Sequence, residues 1–292
     1  MKNPLTAAYT ETDDRALVHR ALDGDRTAMD QLIKRHQPFI YNVAWKMVHD
    51  PHDAMDLTQD TLLKVITKLA QFKFNSSFRT WLYRIVFNEF LQGKRRNKEA
   101  QFTSFEAYGE QLEALPNPDL NREEEIELAE LSREMRFTCM SGMLMCLTRE
   151  QRLLYILGDS FGIDHKLGAE IFDISPANFR VKLHRARKEL YNYMNNKCGL
   201  VNKANPCRCP KKTKVLKAMG ALDERKMVFN ISHRHRIADY VTANLEPAAE
   251  AFDERYTALF RDHPTQEKFD KETVIDKLLA DGELMGYFES EN

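Results

Sequence analysis

Apolar residues recur along this chain at intervals of three and four, and sustained alternation of apolar and polar positions is missing, so the pattern predicts helices throughout and an all-α fold. Between residues 13 and 30, Ala16, Leu17, Leu22, Ala28 and Met29 keep helical spacing but are interrupted at Asp23-Gly24-Asp25, which reads as two short helices. A longer helix is expected from Ala28 to about Val48, bent at Pro38. Another starts at Pro51, where the missing proline amide costs nothing, and Leu57, Leu62, Val65, Ile66 and Leu69 form its packing stripe. Residues 72–77 read as a polar, aromatic-rich loop. A further helix follows, bearing Trp81, Tyr83, Arg84 and Asn88, with Trp81, Leu82, Ile85 and Val86 assigned to the core and Arg84 and Asn88 to an exposed function.

The most informative stretch lies at residues 174–193. Ser175 offers an oxygen to the unpaired amides of a helix start, and Pro176 fits the first helical position. Phe179, Leu183, Ala186 and Leu190 then share one face, while Arg180, Lys182, His184, Arg185, Arg187 and Lys188 cover the rest. Leu167, Ile171 and Phe172 mark a short amphipathic segment just upstream, giving helix, tight turn, helix. A cationic second helix in that arrangement is what enters a DNA major groove. Ser175, Asn178, Arg180, Lys182, His184, Arg185 and Arg187 are the residues expected at that surface.

Composition sharpens this picture. The 292 residues carry a formal charge of -1, but acids concentrate mid-chain with basic blocks on either side, which predicts more than one partner surface. No apolar run approaches the roughly 20 residues that cross a bilayer, and the N-terminal stretch has no apolar signal core, so a cytoplasmic protein is expected. No nucleophile–base pair, glycine-rich phosphate loop or metal-hydrolase motif is present, and no enzymatic activity is expected.

Two further surfaces follow from residue type and spacing. Asp53, Asp56, Gln59 and Asp60 share one side of the helix after Pro51, a face suited to a basic partner, although acids near a helix start also favour the dipole. Lys73, Asn75, Arg79, Trp81, Arg84 and Asn88, with the cluster Lys94-Arg95-Arg96, interleave aromatic and basic groups. Unstacked bases need both, rings to stack on and cations for the backbone.

With these motifs in hand the chain resembles bacterial RNA polymerase sigma factors of the extracytoplasmic-function group, on two blocks. One runs from Asp53 to Arg96 and includes Asp53-Ala54-Met55-Asp56-Leu57-Thr58-Gln59-Asp60; the other runs from Leu147 to Leu190. The resemblance implies a sigma factor that binds core RNA polymerase through the acidic helix, opens the minus-ten element through residues 72–96 and reads the minus-thirty-five element with the helix-turn-helix. It also leaves room for an anti-sigma protein as partner. The organisation it implies is a region-2-like domain over 13–97, a flexible acidic linker over 98–136, a region-4-like domain over 137–195 and an extension over 196–292. Two positions depart from the family's habit: Thr148 stands where a proline is frequent, and Gly168 interrupts the first helix of the pair at about 1 kcal/mol relative to alanine.

Pro116 and Pro118 interrupt helix within the linker, whose acidic run the resemblance places along a nascent-RNA path. In the extension, Cys198, Cys207 and Cys209 are too few for a zinc tetrahedron unless His233 or His235 completes it, and their spacing is poor for a metal site. No cofactor is expected, zinc being the one weak option. Residues 197–217 are basic and should lie near DNA or near acidic segments of the same chain. Helical periodicity resumes at Ile237, Tyr240, Val241 and Leu245 and at Phe252, Tyr256, Leu259 and Phe260, and the acidic stretch 276–292 is expected to fold back on a basic surface. Two other readings stand beside the sigma factor: a polymerase-independent helix-turn-helix regulator, and a metal or thiol sensor with DNA binding as output.

Overall fold

The computed structural model describes residue 5, residues 11–92 and residues 104–222. These residues are helical, with no strand among them and only an isolated backbone bridge between Cys198 and Cys207. Among the described residues no helix is long and apolar enough to cross a membrane. They fall into two compact units, one joining the residues up to 92 with Ile156–Lys182, the other joining residues 104–155 with those from Leu183 onward.

In the first unit, α1 (Glu11–Leu22) ends at a turn in which Gly24 has φ +88, a conformation a side chain would strain. Asp25 then caps α2 (Arg26–Val48) by accepting from the Ala28 amide at 3.1 Å, and its free oxygen holds Arg20 at 2.6 Å. The second short helix expected before Ala28 is therefore the first turn of α2, because Asp25 supplies the cap three residues earlier. Pro38 lies inside α2, and Asn42 Nδ2 donates to the Pro38 carbonyl at 2.7 Å. His49 closes the helix with φ 53. Asp50 opens α3 (Pro51–Lys68), accepting from the amides of His52 and Asp53. A single 3₁₀ turn (Leu69–Gln71) and the loop 72–77 lead to α4 (Phe78–Gln92), where Ser77 Oγ accepts from the Thr80 amide at 3.0 Å.

Val18, Leu32, Ile40, Leu57, Leu62, Leu82 and Val86 are all at most 4 % exposed and make the centre of this unit. Burial of such a side chain is worth about 1.5–3 kcal/mol. A polar clasp crosses the core. Asp14 Oδ2 lies 2.8 Å from His36 Nε2, and His36 Nδ1 lies 3.1 Å from the Tyr83 hydroxyl. The outer end is closed by Arg35, which donates to Asp14 Oδ1 at 3.0 Å and to Asp13 at 2.8 Å.

The second unit begins with α5 (Phe105–Ala114), capped by Ser104, and α6 (Arg122–Glu127), whose Asn121 and Glu124 form a reciprocal capping box. The described part of the acidic linker, residues 104–136, is thus largely helical, broken where Pro116 and Pro118 stand. α7 (Ala129–Cys146) follows, then α8 (Arg149–Tyr155), which runs into a π turn (Ile156–Ser160). Buried Arg152 donates to the carbonyls of Leu144, Met145 and Leu147, satisfying the end of α7 with one guanidinium. The remaining helices are α9 (His165–Phe172), α10 (Pro176–Lys197) and α11 (Cys209–Ala218).

Candidate nucleic-acid interface

Asp164 caps α9 by accepting from the Lys166 amide at 2.6 Å, and that bond holds its carboxyl below the ordinary carboxylate range. Asp173 closes α9 in the left-handed region, φ 57, and Ser175 Oγ accepts from the Asn178 amide at 3.2 Å to start α10. The connection is therefore a tight turn with a local hydrogen-bonding reason at each end. The stripe of Phe179, Leu183, Ala186 and Leu190 is buried, as its spacing required. On the remaining surface Asn178, Arg180, His184 and Arg185 are exposed, and Lys182 and Arg187 are half-buried. Ser175 is exposed too, with its oxygen engaged as the cap.

Gly168 sits in α9 where a Cβ would fall 2.6 Å from two atoms of the Phe179 ring. The residue that looked like a helix defect is what lets α9 and α10 approach.

On α4, Arg84 and Asn88 are exposed one turn apart. Lys73 and Asn75 are exposed on the preceding loop, Arg79 is half-buried, and Lys94, Arg95 and Arg96 lie outside the described residues. Tyr83, on the same helix, is a core residue. It is fully buried against His36, so its hydroxyl serves the core clasp rather than a ligand. Trp81 and Ile85, expected in the core, are only half-buried, with the Trp81 ring 5.3 Å from Phe72 and 5.7 Å from Phe78. The core places go instead to Phe78, Tyr83, Phe87 and Phe90. Phe74, at φ 57, stacks on His19 at 4.3 Å with Arg15 above the ring at 5.3 Å, an aromatic–cation cluster the sequence reading did not single out.

The same face of α4 carries α9. Arg84 Nε donates to the Glu170 carbonyl at 2.8 Å and its Nη2 lies 3.3 Å from Asp173 Oδ1. Thr80 reaches Glu170 at 3.4 Å, and the rings of Phe87 and Phe172 lie 6.1 Å apart. A guanidinium placed at the last carbonyls of α9 also meets the negative end of its dipole. Arg84 is therefore occupied by the helix-turn-helix in this arrangement. No spacing rule could have paired residues 84 and 170.

On α3, Asp56 and Asp60 are exposed and Asp53 and Gln59 half-buried, opposite the buried side formed by Leu57, Thr58, Thr61 and Leu62. Asp53 stands in the first turn, where the helix dipole favours it.

Cys198, Cys207 and Cys209 line one small, almost wholly apolar cavity, together with Cys139 of α7. None is in a disulfide. Burial pushes all four thiols up, Cys209 to about 11, so they stay protonated and unreactive at neutral pH. Among the described residues no group of three or more His, Cys, Asp or Glu is placed to hold a metal ion, and His233 and His235 lie outside them. The later periodic segments and the acidic stretch 276–292 lie outside them as well.

Residues 32–100 match the family described as Sigma-70 region 2. The SigE sigma factor of Mycolicibacterium smegmatis is 28% identical over 174 residues, covering 59% of this chain and 64% of the relative, so the chain spans less than two thirds of that protein. The sigma factor YlaC of Bacillus subtilis is 30% identical over 169 residues, covering 58% of this chain and 93% of the relative. A solved structure of CnrH in complex with the cytosolic domain of CnrY covers 63% of this chain and 97% of its own, at 22% identity and a TM-score of 0.45. This chain belongs to the RNA polymerase sigma factors of the extracytoplasmic-function group.

Proposed function

We propose that the chain binds core RNA polymerase and directs transcription initiation by recognising and melting specific promoters, with no chemical step of its own, in the cytoplasm. The observation that carries the reading is the pairing of two surfaces in one chain: a helix-turn-helix with an exposed cationic second helix, and an α4 face with Arg84 and Asn88 exposed beside an aromatic loop. Asn178, Arg180, Lys182, His184, Arg185 and Arg187 meet the upstream promoter element. Lys73, Asn75, Arg79, Trp81, Arg84 and Asn88, with Lys94, Arg95 and Arg96, meet the opened minus-ten strand. Asp53, Asp56, Gln59 and Asp60 dock on the polymerase, and an anti-sigma protein is a further partner of the same surfaces. The domain limits that go with this reading are 13–97, 137–195 and the intervening linker.

Because Arg84 is bonded to α9, it must leave Glu170 and Asp173 before it can meet DNA. Polymerase binding supplies that change by engaging α3 and α4 while the helix-turn-helix takes up its own element. The test is run-off transcription with purified core polymerase, with permanganate footprinting of promoter thymines. Wild-type protein should give transcripts and reactive thymines. Asn88→Ala should keep the closed complex and lose the reactivity; reactivity equal to wild type would remove Asn88 from strand capture.

A further inference from the structure

The described part of the extension is unusually one-signed. Residues 197–222 contain Lys197, Lys203, Arg208, Lys211, Lys212, Lys214 and Lys217 and no acid. Lys211, Lys214 and Lys217 follow one another at three-residue intervals on α11, about 4.5 Å of rise apart, and so form one stripe. Each meets a carboxylate of the linker. Lys211 Nζ lies 2.7 Å from Asp119, Lys214 Nζ 2.5 Å from Glu124, and Lys217 Nζ 3.3 Å from Glu127. The first two carboxyls are held below their ordinary range, in each case chiefly by the lysine's hydrogen bond.

A fourth lysine does a different job. Lys212 is 2 % exposed, and its Nζ donates to the Leu115 carbonyl at 2.5 Å, just past the end of α5. An ammonium there satisfies a carbonyl the helix leaves open and meets the negative end of its dipole. Lys212 therefore fixes α11 in place, while the stripe beside it is only loosely paired. Asp119 is fully exposed and Glu127 71 % exposed, so water and salt screen their contacts and these two carboxylates exchange easily for other anions, while Glu124, 33 % exposed, is held more firmly.

We propose that the Lys211, Lys214 and Lys217 stripe of α11 is an additional surface for the nucleic-acid backbone, masked in the free chain by Asp119, Glu124 and Glu127, which stand in for phosphates. The inference rests on the promoter-binding reading above, since the stripe lies on α11, the next helix in the chain after the recognition helix α10. Displacement of the linker by DNA couples two events: the extension gains phosphate contacts, and the acidic segment between the helical domains is set free.

The test uses the full chain and a random-sequence duplex, without polymerase. Affinity is measured against salt concentration for wild type and for Asp119→Asn/Glu124→Gln/Glu127→Gln, in which glutamine keeps the capping box at position 124. Unmasking three lysines should tighten binding about tenfold or more at low salt. It should also steepen the slope of log affinity against log salt by about 2 to 3, since each phosphate contact contributes about 0.9. Adding Lys211→Gln/Lys214→Gln/Lys217→Gln should return the slope to the wild-type value. Glu110→Gln/Glu123→Gln/Glu125→Gln changes net charge equally without touching the stripe and should leave the slope unaltered. An unchanged slope in the unmasked variant, or the same steepening in the control, would overturn the proposal. Run-off transcription tests the sigma reading separately, so the two can fail independently.

Discussion

Replacing Gly168 with alanine sets two effects of opposite sign against each other. In a helix interior alanine is favoured over glycine by about 1 kcal/mol, so propensity alone makes Gly168→Ala stabilising. The new Cβ, however, would lie 2.6 Å from Phe179 Cε2 and Cζ and 3.2 Å from Ile163 Cδ1. Carbon atoms settle at about 3.5–4.0 Å, so the intrusion is about 1 Å deep. Phe179 is fully buried, with Phe172 at its edge at 5.8 Å, and its ring has no solvent to swing into. Overpacking of this kind costs about 1–3 kcal/mol, and the deep end applies here. We therefore expect a net loss of about 1–2 kcal/mol. At the usual urea dependence of small domains this lowers the unfolding midpoint by about 0.5–1 M, with the slope unchanged. Promoter-fragment affinity should fall too, because α9 and α10 are wedged apart. Phe179→Leu, damaging alone, should partly rescue the alanine variant, with a coupling energy of at least about 0.5 kcal/mol in the double-mutant cycle. A raised urea midpoint in Gly168→Ala, or no rescue, would refute the packing argument and leave propensity in control.

Three other outcomes follow. Burial depresses the Lys46 ammonium from 10.5 to about 7, so between those pH values the unfolded chain binds the extra proton, and stability should rise with pH by an amount on the order of a few kcal/mol. Lys46→Met should flatten that rise in urea midpoints compared at pH 7 and 9.5, and a persisting rise would assign it to other groups. Asp173→Asn keeps the left-handed backbone while removing the charge beside Arg84. Since that pair is exposed the cost is below about 1 kcal/mol, visible as faster amide exchange in α9, and unaltered exchange would deny the contact any holding role. Reversing charge at Asp56 and Asp60 leaves the buried face of α3 untouched, so helicity should persist while pull-down of core polymerase falls sharply; undiminished pull-down would assign these acids to helix stabilisation alone.

Where the signals are local, the chain could be read directly. Pro51 at a helix start, Ser175 before Pro176 and the spacing of Phe179, Leu183, Ala186 and Leu190 each encode structure within one or two turns, and each appears as read. The misreadings share a different cause. Tyr83 could not be placed in the core because its partner, His36, lies 47 residues away. Gly168 looked like a weakness because Phe179 belongs to the next helix. The basic extension was expected near DNA or near the chain's own acids; the structure supplies the acids, through contacts some 90 residues apart. Likewise Cys139 joins the other three cysteines from a distance that no metal-ligand spacing describes.

The clasp of Asp14, His36 and Tyr83 bears on the order in which the first unit assembles. Its members come from α1, α2 and α4, separated by 22 and 47 residues, and all three are at most 2 % exposed. Were α1 to dock before α4, the Asp14–His36 pair would enter the core lacking the hydroxyl that completes it, and a partly satisfied buried polar group is costly. Docking of α1 is therefore expected to wait for α4. Once made, it ties the short helix α1 to the opening of the whole unit, so its amides should exchange at the slow rate of the core.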